Sequence, residues 1–231
     1  MPRFLAFLPI LASLFIGCLL LSCQPKPSLS SKEKGGHQKV TDARVDELVR
    51  ECQVCHGVKE AQRGPILDGM EYSYLFDQLQ KFRSGIRGQN PQNRSEYLMG
   101  IGARKIQNDV EAAYLAEWFS RQPPKPALYT VSGDLKNGKD FYESRCASCH
   151  GQQAEGNRLV AGPSLNRLEG WYFLDQMRKF QGDFRGYHPL DERGRVMAAS
   201  AKDISDRTLR DVVAYVVESF GPPEQPSSRE W

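Results

Sequence analysis

The sequence predicts a mainly helical fold written twice in tandem, and three observations carry that expectation. Cys52-Gln53-Val54-Cys55-His56 recurs as Cys146-Ala147-Ser148-Cys149-His150. Downstream the chain realigns without a gap at an offset of 98, with 15 identities across the 43 positions 64–106. Apolar residues elsewhere recur at three- and four-residue spacings, and no stretch alternates apolar and polar residues as a half-buried strand does. A period near 95 residues is too long for a solenoid unit, so the repeat is a duplicated domain.

Composition narrows the class. The 231 residues are 40% apolar and 26% charged, which excludes a polytopic membrane protein and a mostly disordered chain alike. A net charge of +3 leaves no basic excess for a nucleic-acid partner. Six cysteines are too few to staple a chain of this length.

Residues 1–22 place Arg3 ahead of an apolar run that ends at Leu20-Leu21-Ser22-Cys23, with polar Gln24 and Pro25 following. That is the layout of an export signal peptide. Its end resembles a bacterial lipobox, which would make Cys23 the lipid-bearing first residue of the mature chain. Cys18 fits less well, because Leu19-Leu20-Leu21 behind it is still apolar. An uncleaved membrane anchor is the alternative. Residues 23–40 are rich in Pro, Ser, Gly and Lys and read as a flexible tether.

The first copy, 41–123, opens with Thr41 as N-cap of a helix through Val45, Leu48, Val49 and Cys52. A middle helix carries Leu75, Leu79 and Phe82 and stops at Gly85 and Gly88; a last helix spans about 109–120. Gln122-Pro123-Pro124-Lys125-Pro126 interrupts the chain between the copies. In the second copy, 124–221, Asp134 opens the first helix and Phe173, Met177 and Phe180 mark the middle one. The last helix there covers 206–220, and 222–231 is a Pro-rich tail.

A CxxC pair suits zinc, a redox disulfide or haem attachment. Zinc asks for four ligands, and each copy offers Cys, Cys and His locally. A thioredoxin-like motif belongs in a strand–helix fold, which this pattern lacks. A histidine directly after the second cysteine selects haem c: Cys52 and Cys55, and Cys146 and Cys149, would form thioethers, with His56 and His150 reaching iron. For the sixth ligand, bis-histidine ligation would need both His37, in the tether, and His188, which aligns with Asn90. Met70 and Met177 align with Leu168 and Leu79 and read as core. Met99 and Met197 match each other, each 34 residues beyond its Gly-Pro pair, and are the axial candidates, core packing being the alternative.

Haem motif, Gly-Pro, a Tyr-x-x-x-Gln-(Leu/Met)-x-x-Phe helix, Arg-Gly, Met and a closing helix together resemble the dihaem cytochromes of the cytochrome c4 family. The likeness covers residues 41–221. It implies a mainly α fold of two tandem class I cytochrome c-like domains carrying two covalently bound haem c groups. It further implies that the Pro65 and Pro163 carbonyls meet the second nitrogen of each haem histidine; a plain turn is the alternative for Gly-Pro. The family also places a glycine and an aromatic where the first and last helices cross. Gly138 and Tyr142 fit that, while copy one has Arg44 and Leu48 there. Arg87 and Arg185 either neutralise haem propionates or lie in solvent.

The function expected from this is single-electron transfer rather than catalysis, in an exported protein held by a lipid at the periplasmic face of a bacterial membrane. By the resemblance its partners are a quinol–cytochrome c reductase or a dehydrogenase as donor and a haem-copper oxidase as acceptor. The alternatives are a dihaem peroxidase-like enzyme, which needs an open sixth site, and a fixed haem subunit of a larger oxidoreductase complex.

Overall fold

The computed structural model of the chain describes residues 40–57, 63–125 and 131–222. The signal peptide, Cys23, His37 and nearly all of the tether fall outside them, as does the tail beyond Pro222. The described residues contain nine helices and no strand, apart from one isolated bridge between Asn157 and Gly162.

Helix α1 (Asp42–His56) starts where the Thr41 side chain accepts a hydrogen bond from the Arg44 N–H, satisfying one of the orphan donors of a helix start. It buries Val45, Leu48 and Val49 and runs straight through the first Cys-His motif. Helix α2 (Tyr72–Arg83) turns Tyr74, Leu75, Gln78 and Phe82 inward. Helix α3 (Arg94–Ala103) follows, and α4 (Asp109–Ser120) is capped by the Asn108 side chain.

In the second copy α5 (Leu135–Arg145) is capped by Asp134, which accepts from the N–H groups of Lys136 and Asn137. The helix breaks at Cys146, and a short α6 (Ala147–His150) completes the motif. Helices α7 (Gly170–Gln181), α8 (Glu192–Ala201) and α9 (Asp206–Phe220) then repeat α2, α3 and α4. Leu209, Val212, Val213 and Val216 give α9 a continuous buried stripe. A fully buried aliphatic side chain stabilises the fold by about 1.5–3 kcal/mol.

Helices α3 and α8 are not evident from sequence pattern. Their buried positions are small or charged (Glu96, Gly100 and Ala103 in α3, Gly194 and Ala201 in α8), while Leu98, Ile101 and Val196 are exposed, so no large apolar stripe marks an inward face. The pairing of first and last helices also differs between copies. A Cβ on Gly138 would lie 2.0 Å from the Asp211 carbonyl oxygen, so α5 and α9 touch backbone to backbone. Tyr142, fully buried, lies against Tyr215, and the Asp211 carboxylate accepts from the Asp134 N–H and the Asn137 side chain. In copy one Arg44 stands at the glycine position and reaches α4 by an ion pair to Glu111, 3.0 Å, and a hydrogen bond to the Lys105 carbonyl. A long side chain replaces a close approach.

Candidate functional site

The first Cys-His motif is helical throughout, and its three-residue spacing puts Cys52 and Cys55 on one helix face. In the second, Cys146 is the break between α5 and α6, and Cys149 lies in α6. Cys52, Cys55 and Cys146 are half-buried and Cys149 is exposed; none is in a disulfide. Burial pushes the thiols of Cys52 and Cys146 up to about 11. They are therefore neutral thiols near pH 7, unlike the low-pKa thiolates of redox motifs. Among the described residues no three His, Cys, Asp or Glu side chains gather as a metal cage would require.

Both imidazoles are oriented in the same way. His56 Nδ1 lies 2.7 Å from the Pro65 carbonyl oxygen, and His150 Nδ1 lies 2.8 Å from that of Pro163. With Nδ1–H donating to the carbonyl, Nε2 is left as the free lone-pair nitrogen. Burial lowers both ring pKa values, against the opposite pull of the proline carbonyl, so the rings are held neutral. The Gly-Pro loops come this close because the glycines have no side chain. A Cβ on Gly64 would lie 2.6 Å from the His56 ring, and one on Gly162 would lie 1.7 Å from the Cys149 carbonyl oxygen. In copy two the Tyr142 hydroxyl also donates to the Gly151 carbonyl, tying the helix crossing to the end of the motif.

Met99 and Met197 lie at equivalent places in α3 and α8, both half-buried. Met197 packs against the core. Met70 and Met177 are buried core residues. His188 receives the Leu190 N–H on its own loop. Two neighbouring thiols and a neutral imidazole fixed at Nδ1 recur in each copy, a donor set that fits covalent haem c.

Between the copies lies a buried polar layer that matches itself at the 98-residue offset. The Tyr74 and Tyr172 hydroxyls hydrogen-bond each other at 2.9 Å. Arg87 donates to Gln78 and Gln176, and Arg185 donates to the same two glutamines. Each guanidinium also covers its own copy's phenylalanine, Phe82 or Phe180. Both arginines are buried, so the solvent alternative for them is excluded. The match breaks at one point. Arg87 additionally holds Glu96, where copy two has Gly194.

Two further contacts close the layer. Glu71 and Glu169 are the N-cap residues of α2 and α7, yet neither side chain caps its own helix. The Ile66 N–H donates to Glu169 Oε2 at 2.8 Å, and the Ser164 N–H donates to Glu71 Oε2 at 3.1 Å. Sequence reasoning assigned no role to these glutamates, tyrosines or glutamines. Their signal was present as pairwise identity at matched positions.

Comparison with known proteins agrees with this geometry. The family described as "Cytochrome C oxidase, cbb3-type, subunit III" matches residues 133–216. The chain is 25% identical over 177 residues to a cbb3-type cytochrome c oxidase subunit CcoP of Azospirillum brasilense, covering 71% of this chain and 57% of that protein. It thus spans little more than half of such curated relatives. It is 28% identical over 89 residues to cytochrome c-554(547) of Halothiobacillus neapolitanus, covering 37% of this chain and 96% of that one. Among solved structures, cytochrome c4 of Acidithiobacillus ferrooxidans superposes with a TM-score of 0.58 at 24% identity, covering 73% of this chain and 98% of that one. Cytochrome c4 of Pseudomonas stutzeri gives 0.58 at 23% identity, with coverages of 78% and 98%. The fold is therefore mainly α, with two tandem class I cytochrome c-like domains.

Proposed function

We propose that this chain, two c-type cytochrome domains in one polypeptide, is a single-electron carrier of the cytochrome c4 kind. The observation that carries this reading is the twofold occurrence of one donor set, with each imidazole fixed through Nδ1 by a proline carbonyl. Cys52 and Cys55 would hold one haem and Cys146 and Cys149 the other, with His56 and Met99, and His150 and Met197, as the residues that would bind iron. Held by these residues, haem would supply one-electron oxidation and reduction and would offer no vacant position to a substrate. The protein's part is to keep both imidazoles neutral and oriented, and to hold the two sites in a fixed relation through the buried layer between the copies.

In this reading Cys23 is lipidated and the protein works from the periplasmic face of a bacterial membrane. Among the described residues no helix is long and apolar enough to cross one. The donor is a quinol–cytochrome c reductase or a dehydrogenase and the acceptor a haem-copper oxidase. A second reading, a fixed subunit of an oxidase complex, is favoured by the match of residues 133–216 to a cbb3-type oxidase subunit. Copurification with an oxidase from mild detergent separates the two: a mobile carrier elutes alone, whereas a fixed subunit stays with its complex.

The test of the carrier reading is direct. The intact mass of the mature protein should equal the chain from residue 23 plus one lipid and two haems. The ferric protein should show two equivalents of Met-to-iron absorbance, with Met99→Ala and Met197→Ala each removing half and opening one iron to carbon monoxide. Ready carbon monoxide binding to the unaltered protein, with peroxide reduction, would replace the carrier by an enzyme.

A further inference from the structure

The two glutamates that cross between the copies do not end on arbitrary backbone groups. Ile66 N–H and Pro65 C=O belong to one peptide unit, and so do Ser164 N–H and Pro163 C=O. On one side the Pro65–Ile66 unit donates to Glu169 of the second copy at 2.8 Å, and on the other it faces His56 Nδ1 at 2.7 Å. The Pro163–Ser164 unit donates to Glu71 of the first copy at 3.1 Å and faces His150 Nδ1 at 2.8 Å. The arrangement is reciprocal: each copy's carboxyl group reaches the other copy's imidazole through a single amide.

An amide is polarisable along its O–C–N axis. A carboxylate accepting its N–H pulls the hydrogen outward and adds negative charge to the carbonyl oxygen, and hydrogen bonds in such a chain strengthen one another. The carbonyl then takes the Nδ1–H bond more strongly, and the imidazole becomes a better donor at Nε2. Glu169 is buried and Glu71 half-buried, so water screens these charges little.

We infer that Glu71 and Glu169 are positioning residues acting in trans: Glu169 sets the orientation and donor strength of His56, and Glu71 those of His150. This rests on the reading of His56 and His150 as haem ligands. Its consequence is that the reduction potential of each haem is lowered by a residue of the other copy, hydrogen bonding to the axial ligand being one of the protein's means of setting that potential.

The test uses the holoprotein and spectroelectrochemical titration. Met99→His and Met197→His each change one axial ligand and so identify which of the two redox waves belongs to which copy. Glu169→Gln, which keeps an acceptor oxygen and removes the charge, should raise the wave of the His56 haem and leave the other in place. Glu71→Gln should raise the wave of the His150 haem alone. The expected change is about threefold to tenfold in the oxidised-to-reduced ratio at fixed ambient potential, the upper figure being ~59 mV for one electron. Proton NMR of the ferric protein should show the Nδ1–H of the histidine in the opposite copy moving in each variant. If each substitution shifts the wave of its own copy, or neither wave moves while both haems are present, the inference is overturned. If His56→Ala and His150→Ala leave both waves where they are, the reading of those histidines as ligands fails, and the inference with it. Glu71 is the less buried of the two, so Glu71→Gln decides the matter even if Glu169→Gln does not fold.

Discussion

At the scale of single residues, the buried layer shows how a duplicated site stops being symmetric. Arg87 has a carboxylate partner in Glu96, and Arg185 stands at the matching place with Gln176 and Gln78 as partners. Burial alone would raise the Glu96 pKa, but Arg87, with Arg185 and Lys179 behind it, holds the carboxyl below the usual carboxylate range. The sign follows from linkage. A group whose folded pKa is depressed stabilises the fold at pH values above its unfolded value, near 4.3 for Glu, and loses that contribution as pH falls through the lower folded value. Denaturant midpoints measured from pH 7 down to pH 3 should therefore fall more steeply for the unaltered protein than for Glu96→Gln. Arg87→Ala leaves the buried Glu96 carboxylate without its hydrogen-bonded partner, Lys179 at 3.8 Å being the remaining ion pair, and should cost up to about 3–5 kcal/mol at neutral pH. The His56 and His150 motifs could be read from the chain because their chemistry is local. The partner of Arg87 could not, because Glu96 has no counterpart at the repeat offset to mark it.

At the scale of elements, the two copies solve one crossing in two ways. Gly138 lets α5 and α9 meet, while Arg44 and Glu111 span the equivalent gap between α1 and α4. Gly138→Ala should therefore force α5 and α9 apart and cost about 1–3 kcal/mol, as overpacking does, read as a lowered melting midpoint. Arg44→Ala leaves both backbones in place and should lower the midpoint less. The helices with strong inward periodicity, α1, α2, α4, α5, α7 and α9, were legible in the sequence, with Thr41 and Asp134 visible as caps. Helices α3 and α8 were not, because their outward faces carry Leu98, Ile101 and Val196 and blur the contrast between inside and outside. Their methionines were singled out as candidates by spacing within the repeat rather than by helical pattern. The break at Cys146, which α1 does not share, left no sequence mark.

At the scale of the whole molecule, the repeat itself was the most readable property and the interface the least. Tyr74, Gln78, Arg87 and Glu71 were conspicuous as matches to Tyr172, Gln176, Arg185 and Glu169. Identity at a repeat offset says only that a position was kept. It does not distinguish a residue packed inside its own copy from one facing the other copy. The structure makes that distinction: the Tyr74 and Tyr172 hydroxyls meet, the arginines share glutamines, and the glutamates cross.

Each of those contacts occurs with its mirror image, which is the signature of an isologous surface, the kind by which two identical subunits close into a dimer. None of these paired contacts is made by a residue between Pro124 and Val131. Being in one chain holds the two halves at a high effective concentration, on the order of millimolar for closely joined modules. Cutting the chain once between residues 125 and 131 should thus turn an intramolecular contact into a bimolecular one while leaving every one of these paired contacts in place. The nicked holoprotein should run as one species at high concentration on size exclusion and separate into halves only on dilution. The gene fusion supplies proximity, and the paired contacts supply the fit.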